Sequence, residues 1–417
     1  MREFSSSHHP LLQHLFRSEY NKMTAVLCRH FGLQQMQLAE DLVSETFLKA
    51  VETWDKSGVP DNPAAWLYTV ASNKTKDYLK RAKTFETKIA EALKIEEQQE
   101  AAIFFTEQNI SDSQLAMIFA ICDPVNSAES QVCLALQVLC GFSVEEIANA
   151  FLSSKETVKK RLLRARAKLR NDQFKIVSMS DTVIQSRLDV VLTALYLLFN
   201  EGYFSKTSDQ IIRKDLCLEA IRLTLILTRH ARTNTTSVNA LLALMCYQSS
   251  RLDARTNDEG ETVLFEQQDK GLWEQDLIDK GNYYLVNACS GDEVSKYHLE
   301  AGIAYWHIAP ENERKWEYIL QLYNELIVME YSAVTALNRT FAFAKVYGYE
   351  QGRVEAEKLG LEGNSAYHAL LGYLYADTFP DKAVGHYNAA VGFTKSVAER
   401  RGLLKEIRRL EEIIRGM

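Results

Sequence analysis

Apolar residues recur at helical spacing almost from end to end of this chain, and little interrupts them: 417 residues contain only six prolines and 18 glycines. A fold of many short strands needs turn residues every ~8–12 positions. This sequence cannot supply them, so the pattern predicts an all-α protein with long helices and short connections. Hydrophobic residues make up 47 % of the chain, ample for the cores of roughly two to four domains.

The periodicity predicts a helix over Pro10–Phe31 and a second over Leu38–Trp54, with Leu42, Phe47 and Val51 inward and Glu40, Asp41 and Glu45 outward. Asp55–Asn62 reads as a loop from its Gly, Pro and Asn. Pro63 then opens a third helix at a first-turn position, where its missing N–H costs nothing. These helices form a first segment, 10–83. Polar, acidic Thr84–Asp112 reads as a linker with some helical character. A compact helical unit follows over 113–172, and from Val183 to Met417 the chain is one amphipathic helix after another, broken mainly at Arg251–Asp269. In the last third, Ala336-Leu337 recurs as Ala369-Leu370, each followed by a second amphipathic stretch. An offset near 34 suits tetratricopeptide-like helix pairs.

The formal charge of −7 does not suggest a nucleic-acid binder, but its distribution matters more than its sum. Basic residues cluster within the first 172 positions, whereas the remainder carries net −6, with 27 basic and 33 acidic residues. Seven cysteines stand singly, with no C-x-x-C, which suits reduced thiols in a cytoplasmic protein. The N-terminus lacks the apolar core of a signal peptide. The longest apolar run, Val190–Phe199, is too short to span a bilayer, which takes ~20 residues. No HExxH, GxxxxGK[ST], GxSxG or GxGxxG is present, and the nine histidines form no cluster. No catalytic site, metal or cofactor is expected.

The sharpest signal is FSVEEIANAFLSSKETVKKRLLRARAKLR, Phe142–Arg170. Ser143 and Glu146 have capping-box spacing, Leu152-Ser153 makes a tight turn, and Ser154 can cap the next helix. Val158, Leu162 and Ala165 would hold that helix to a core. This is a helix-turn-helix, whose second helix enters the major groove. Ser154, Lys155, Thr157, Lys159, Lys160, Arg161, Arg164 and Arg166 are its candidate DNA contacts, supplying phosphate neutralisation and base-edge donors. A solvated basic helix is the plain alternative, but the capped helix and turn in front of it argue against that.

A second signal is NPAAWLYTVASNKTKDYLKRAK, Asn62–Lys83. Trp66, Val70 and Asn73 share a face, and Lys74, Lys80 and Arg81 make its C-terminal half basic. Aromatic and amide groups beside cations suit unstacked bases, although Trp66 taken alone reads more readily as core. The third is the acidic face of Leu38–Trp54, which is either simply solvated or a docking surface for a basic partner.

In this order the three resemble the bacterial sigma factors of the extracytoplasmic-function (ECF) class. AEDLVSETFLKA (39–50) is similar to the sigma-2 helix that docks on core RNA polymerase, departing from it at Ser44, where Gln is usual. The resemblance implies docking by Glu40, Asp41, Glu45 and Phe47. NPAAWLYTVASNKTKDYL is similar to the helix that melts and reads the −10 element, which implies contacts from Asn62, Trp66, Val70, Asn73, Lys74, Lys80 and Arg81. SAESQVCLALQVLCGFSVEEIANAFLSSKETVKKRLLRARAKL is similar to sigma-4, the −35 reader. The remainder, through SDSQLAMIFAIC, YLLFNEGYFS, DLCLEAIRL, LLALM and TALNRTFAFA, resembles the subgroup with a tetratricopeptide-like C-terminal extension.

The resulting expectation is a transcription initiation factor, not an enzyme. Its partners would be core RNA polymerase and promoter DNA, with a regulatory protein or peptide at the repeat region and no membrane insertion. The extension begins about a dozen residues after the basic helix, so it is expected to pack on sigma-4. Two alternatives stand beside this. One is a non-sigma helix-turn-helix regulator with a ligand- or peptide-sensing repeat domain, which would not need Asn62–Lys83. The other is a repeat scaffold without DNA dependence.

Overall fold

The computed structural model describes residues 9–90, 105–151, 153–171, 181–204, 210–255, 257, 263, 265–310, 312–394 and 396–416. Every long element among them is a helix. In chain order these are α1 His9–Phe31, α2 Met36–Ser57, α3 Pro63–Ala90, α4 Glu107–Ile121, α5 Ala128–Leu134, α6 Val144–Ala150, α7 Lys155–Asn171, α8 Asp181–Tyr203 and α9 Gln210–Thr228. They continue as α10 Thr236–Ser249, α11 Gln275–Ala288, α12 Lys296–Ile308, α13 Lys315–Met329, α14 Ala333–Tyr347, α15 Tyr349–Glu357, α16 Ser365–Tyr375, α17 Pro380–Phe393 and α18 Val397–Gly416. Helix occupies both ends of the stretch 84–112, because α3 runs on to Ala90 and Thr106 caps α4 through Asn109 N–H. The chain divides into two compact units, residues 1–201 with 229–233, and residues 202–228 with 234–417.

In the first unit, α1 buries Met23, Val26 and Leu27, and α2 buries Ala39, Leu42, Val43, Phe47, Ala50 and Trp54. Leu67, Ala71 and Thr75 give α3 a matching face. Helices α1 and α2 both end at glycines with positive φ, Gly32 and Gly58, a backbone region costly for other residues. Ser113 to Ile121 of α4 are buried on every side, so this helix is the core of its neighbourhood rather than an amphipathic cover. After α5 the chain makes a π-helical turn over Ala135–Leu139, where Cys140 N–H reaches back to Ala135 O. The N-terminal part of α8 belongs to this unit. Ile184, Leu188, Val191 and Leu192 are buried, and Arg187 pairs with the buried Asp123 at the end of α4. The extension's first helix is thus integral to the body that carries the helix-turn-helix.

The second unit is built on α10, buried from Val238 to Tyr247. From α12 onward each helix packs on its sequence neighbour. Ala336 and Leu337 of α14 and Leu370 of α16 are buried, Ala369 is partly buried, and Ala383, Tyr387 and Ala390 are buried on α17. Two glycines permit close helix approach. A Cβ on Gly352 would stand 2.4 Å from the Ala344 Cβ, and one on Gly372 would stand 2.7 Å from the Tyr387 ring.

His307 of α12 lies against Phe265, with ring centroids 4.9 Å apart. Burial, then the Arg251 and Lys315 charges, push its imidazole from 6.5 down to about 3. The unfolded chain therefore takes up a proton as the pH falls through 6.5, while the folded chain stays neutral until about 3. This contribution to stability is full above the unfolded value and declines below it, by up to about 1.4 kcal/mol per pH unit. His307→Gln is expected to flatten the fall of the urea midpoint between these limits. An unchanged slope would remove His307 as its source.

Candidate nucleic-acid interface

The helix-turn-helix forms from local chemistry. Ser143 Oγ accepts from Glu146 N–H at 3.2 Å, and Glu146 Oε2 accepts from Ser143 N–H at 2.8 Å, which closes the capping box. Ser154 Oγ accepts from Thr157 N–H at 3.1 Å and starts α7. Val158, Leu162, Ala165 and Leu169 bury one side of α7. Of the turn residues named from the sequence, Leu152 lies outside the described residues.

The basic residues of α7 are not equivalent. Lys155 pairs with Glu145 at 2.8 Å and Lys159 with Glu156 at 3.2 Å. Both pairs are exposed, worth about 0–1 kcal/mol, and readily exchanged for phosphates. Arg161 turns to Glu129 at 3.0 Å and to the Cys133 sulfur at 3.8 Å. Arg166 is partly buried and grips Glu40 with two hydrogen bonds of 2.8 and 2.7 Å. Lys160 and Arg164, one helical turn apart and exposed, make no ion pair among the described residues. They form the unencumbered cationic stripe.

On α3, Trp66, Val70 and Asn73 share the face opposite Leu67, Ala71 and Thr75. Trp66 is half-buried, edge-on to the buried Trp54 with centroids 5.4 Å apart. Asn62 serves as the helix cap, its Oδ1 accepting from Ala65 N–H at 3.0 Å, so its side chain is committed to the backbone. Lys74 pairs with Glu45 of α2 at 2.8 Å. Arg81 Nε donates to Asp77 O at 3.2 Å, and Lys80 is exposed. The Lys83 side chain lies outside the described residues.

Two of the docking residues expected on α2 are placed differently. Phe47 is a core residue, packed on Phe16 and Tyr20 at 5.1 and 6.4 Å, because its helix position faces α1. Glu40 is held by Arg166. Asp41 and Glu45 are exposed as expected. Val51, expected inward, is 39 % exposed, and Leu48 is 63 % exposed. Asp41, Glu45 and Leu48 fall at i, i+4, i+7, so Leu48 belongs to the acidic face; that spacing was the available signal, and the sequence reading assigned Leu48 to neither face. Leu12, Phe16, Phe47, Leu48 and Val51 line an open groove of about 900 Å³, together with Gly141, Ser143 and Glu146. Burial pushes the Tyr20 hydroxyl up to about 12, so it stays protonated beneath this face.

A capped helix-turn-helix with a cationic stripe lies in one unit with an acidic helix and an aromatic–basic helix, an arrangement of the kind that DNA-binding proteins of the transcription class use. Residues 15–85 match sigma-70 region 2, and residues 187–289 match a family of unknown function, DUF6596. An uncharacterised protein of Rhizobium meliloti (strain 1021) is 33 % identical over 355 residues, spanning 84 % of this chain and 83 % of that one. The ECF RNA polymerase sigma factor EcfG of Rhodopseudomonas palustris (strain TIE-1) is 33 % identical over 135 residues, 31 % of this chain and 68 % of that protein. No solved structure matches. The chain belongs to the sigma-70 family of RNA polymerase sigma factors. Membership implies core RNA polymerase and promoter DNA as partners, and a role in initiation without catalysis. No helix among the described residues is long and apolar enough to cross a membrane, and no three His, Cys, Asp or Glu side chains among them could hold a metal ion.

Proposed function

We propose that this chain binds core polymerase through Asp41, Glu45 and Leu48 of α2, reads the −35 element with α7, and captures unstacked −10 bases on Trp66, Val70 and Asn73 of α3. Unstacking costs a few kcal/mol per base, and base capture plus phosphate contacts offset it. The observation that carries this reading is the joint presence, in one compact unit, of the region 2 helices and a capped helix-turn-helix whose Lys160 and Arg164 are free. The residues 10–83 and 113–172 would act as sigma-2 and sigma-4. The Arg187–Asp123 pair supports a positioning role for the start of the extension. The stacked helices of 234–417 suit a regulatory protein or peptide, since such stacks present extended concave surfaces. This work would be done in the cytoplasm.

Run-off transcription with purified core polymerase on genomic fragments tests the reading. Discrete transcripts that require this chain are expected, and Asp41→Lys with Glu45→Lys should weaken core binding while leaving helix content intact, because exposed charges contribute little to stability. Glu45→Lys also sets a cation against Lys74, so the doubly substituted chain should be compared with Asp41→Lys alone. Absence of any chain-dependent transcript from a core preparation active with another sigma factor would sink the proposal. Promoter binding without core polymerase dependence would favour a non-sigma regulator.

A further inference from the structure

We infer that the second unit holds a binding site for a small oxyanion, where Arg251, Arg255, Trp273, His307 and Lys315 gather about the ring of Phe265. All of these residues belong to that unit. The inference goes beyond the proposed function and stands whether or not the chain directs polymerase.

The site begins where α10 ends and the chain turns, with Ser250 O accepting from Glu274 N–H at 2.8 Å. Arg251 is only 9 % exposed, and its guanidinium carbon lies 4.9 Å from the Phe265 centroid. Its terminal nitrogens donate to Gln268 Oε1 at 3.3 Å and to the Tyr203 hydroxyl at 3.2 Å, both uncharged acceptors. Arg255 follows in the next turn of chain. Its guanidinium carbon is 3.9 Å from the Tyr203 ring centroid, and Nη1 donates to Tyr203 O at 2.6 Å. Lys315 Nζ stands 5.7 Å from the Phe265 centroid and donates to His307 O at 3.0 Å. Trp273 and His307 complete the surround, with ring centroids 6.1 and 4.9 Å from that of Phe265.

Charge and unmet hydrogen bonds point the same way. No carboxylate pairs with Arg251 or Arg255 among the described residues. Described acids close by in sequence are committed elsewhere: Asp253 to Lys214, Glu266 to Lys345, and Asp269 to Gly271 N–H. Arginine is almost never this buried without a counter-charge, and a buried charge lacking one is strongly destabilising. Stacking on Phe265 and Tyr203 offsets only part of that, because a cation gains less over a ring than it loses on leaving water. Burial lowers the Arg251 pKa, and the like charge of Arg255 adds to the effect. Three buried polar atoms about the ring also lack a hydrogen-bond partner among the described residues: Arg251 Nε, Trp273 Nε1 and His307 Nδ1. The first two are N–H donors that need an acceptor. Water would supply the acceptor but not the charge. An oxyanion supplies both, and partly exposed Phe265 and Trp273 offer aromatic surface to an apolar body attached to it.

The test uses the full chain with nitrogen-15 in its five tryptophan indoles, each signal assigned by its loss in the matching Trp→Phe variant. Inorganic phosphate and benzoate are titrated at constant ionic strength, with uncharged benzamide as the control. An anion should move the Trp273 indole signal saturably while Trp54 and Trp66, in the first unit, stay in place. A response to phosphate alone marks a phosphate-bearing ligand, and tighter binding of benzoate marks an aromatic carboxylate. Arg251→Gln should weaken binding by roughly tenfold or more, the consequence of losing one charge-assisted hydrogen bond. Arg255→Gln, at a less buried position, gives a second reading should Arg251→Gln not fold, and should weaken binding by about threefold or more through charge alone. A Trp273 signal that neither anion moves, that benzamide moves equally, or that titrates unchanged in the arginine variants would overturn the inference. The first of these results is the one expected if the chain's own Asp258, Glu259 and Glu261 supply the counter-charge.

Discussion

Replacing Lys160 and Arg164 together by alanine is expected to lower affinity for duplex DNA by roughly a hundredfold, at about 1.5 kcal/mol for each lost charge-assisted contact. The same change should flatten the dependence of log affinity on log salt by about 1.8, since each neutralised phosphate contributes about 0.9 to the slope. These two side chains are exposed and make no ion pair among the described residues, so DNA need displace no partner there to reach them. Arg161→Ala should cost less, because its guanidinium must first leave Glu129. The non-specific affinity of any duplex measures the effect, so no knowledge of the promoter is required. Fluorescence anisotropy at several salt concentrations is sufficient, and a slope indistinguishable from the parent chain would mean that α7 does not meet the phosphates.

Trp54→Ala should destabilise the first unit by about 3–5 kcal/mol, the usual cost of emptying a buried aromatic site. Trp54 is 1 % exposed and the largest of the fully buried side chains. Against a total stability of about 5–15 kcal/mol the loss is severe. Trp54 also backs Trp66 at 5.4 Å, so the loss should propagate to the face of α3 proposed to hold bases. Trp54→Phe is expected to recover more than half the stability, because the indole N–H has no hydrogen-bond partner among the described residues to forfeit. Urea titration followed by circular dichroism reads both variants. Equal destabilisation by Ala and Phe would show that ring volume is not what matters at this position.

Much of this protein was settled by local pattern alone. The all-helical class follows from period and from the scarcity of proline and glycine, which act within a few residues of themselves. The helix-turn-helix was legible for the same reason: its capping box, turn and cap are contacts spanning two to four positions. So were the shared face of Trp66, Val70 and Asn73 and the exposure of Asp41 and Glu45, which need only the helical repeat. Other features depend on what lies opposite each helix. Phe47 and Val51 were both expected inward; Phe47 is buried against α1, whereas Val51 is left exposed. Asn62 spends its amide on a cap, and Lys74 spends its charge on Glu45. Of the basic series on α7, sequence assigns one class, whereas tertiary structure divides it: Arg166 is withdrawn to Glu40, Arg161 turns to Glu129, and Lys160 and Arg164 are left free. Helical periodicity states which side of a helix a residue occupies, but a charge 126 positions away that claims it is a property of packing, and only the folded chain supplies it.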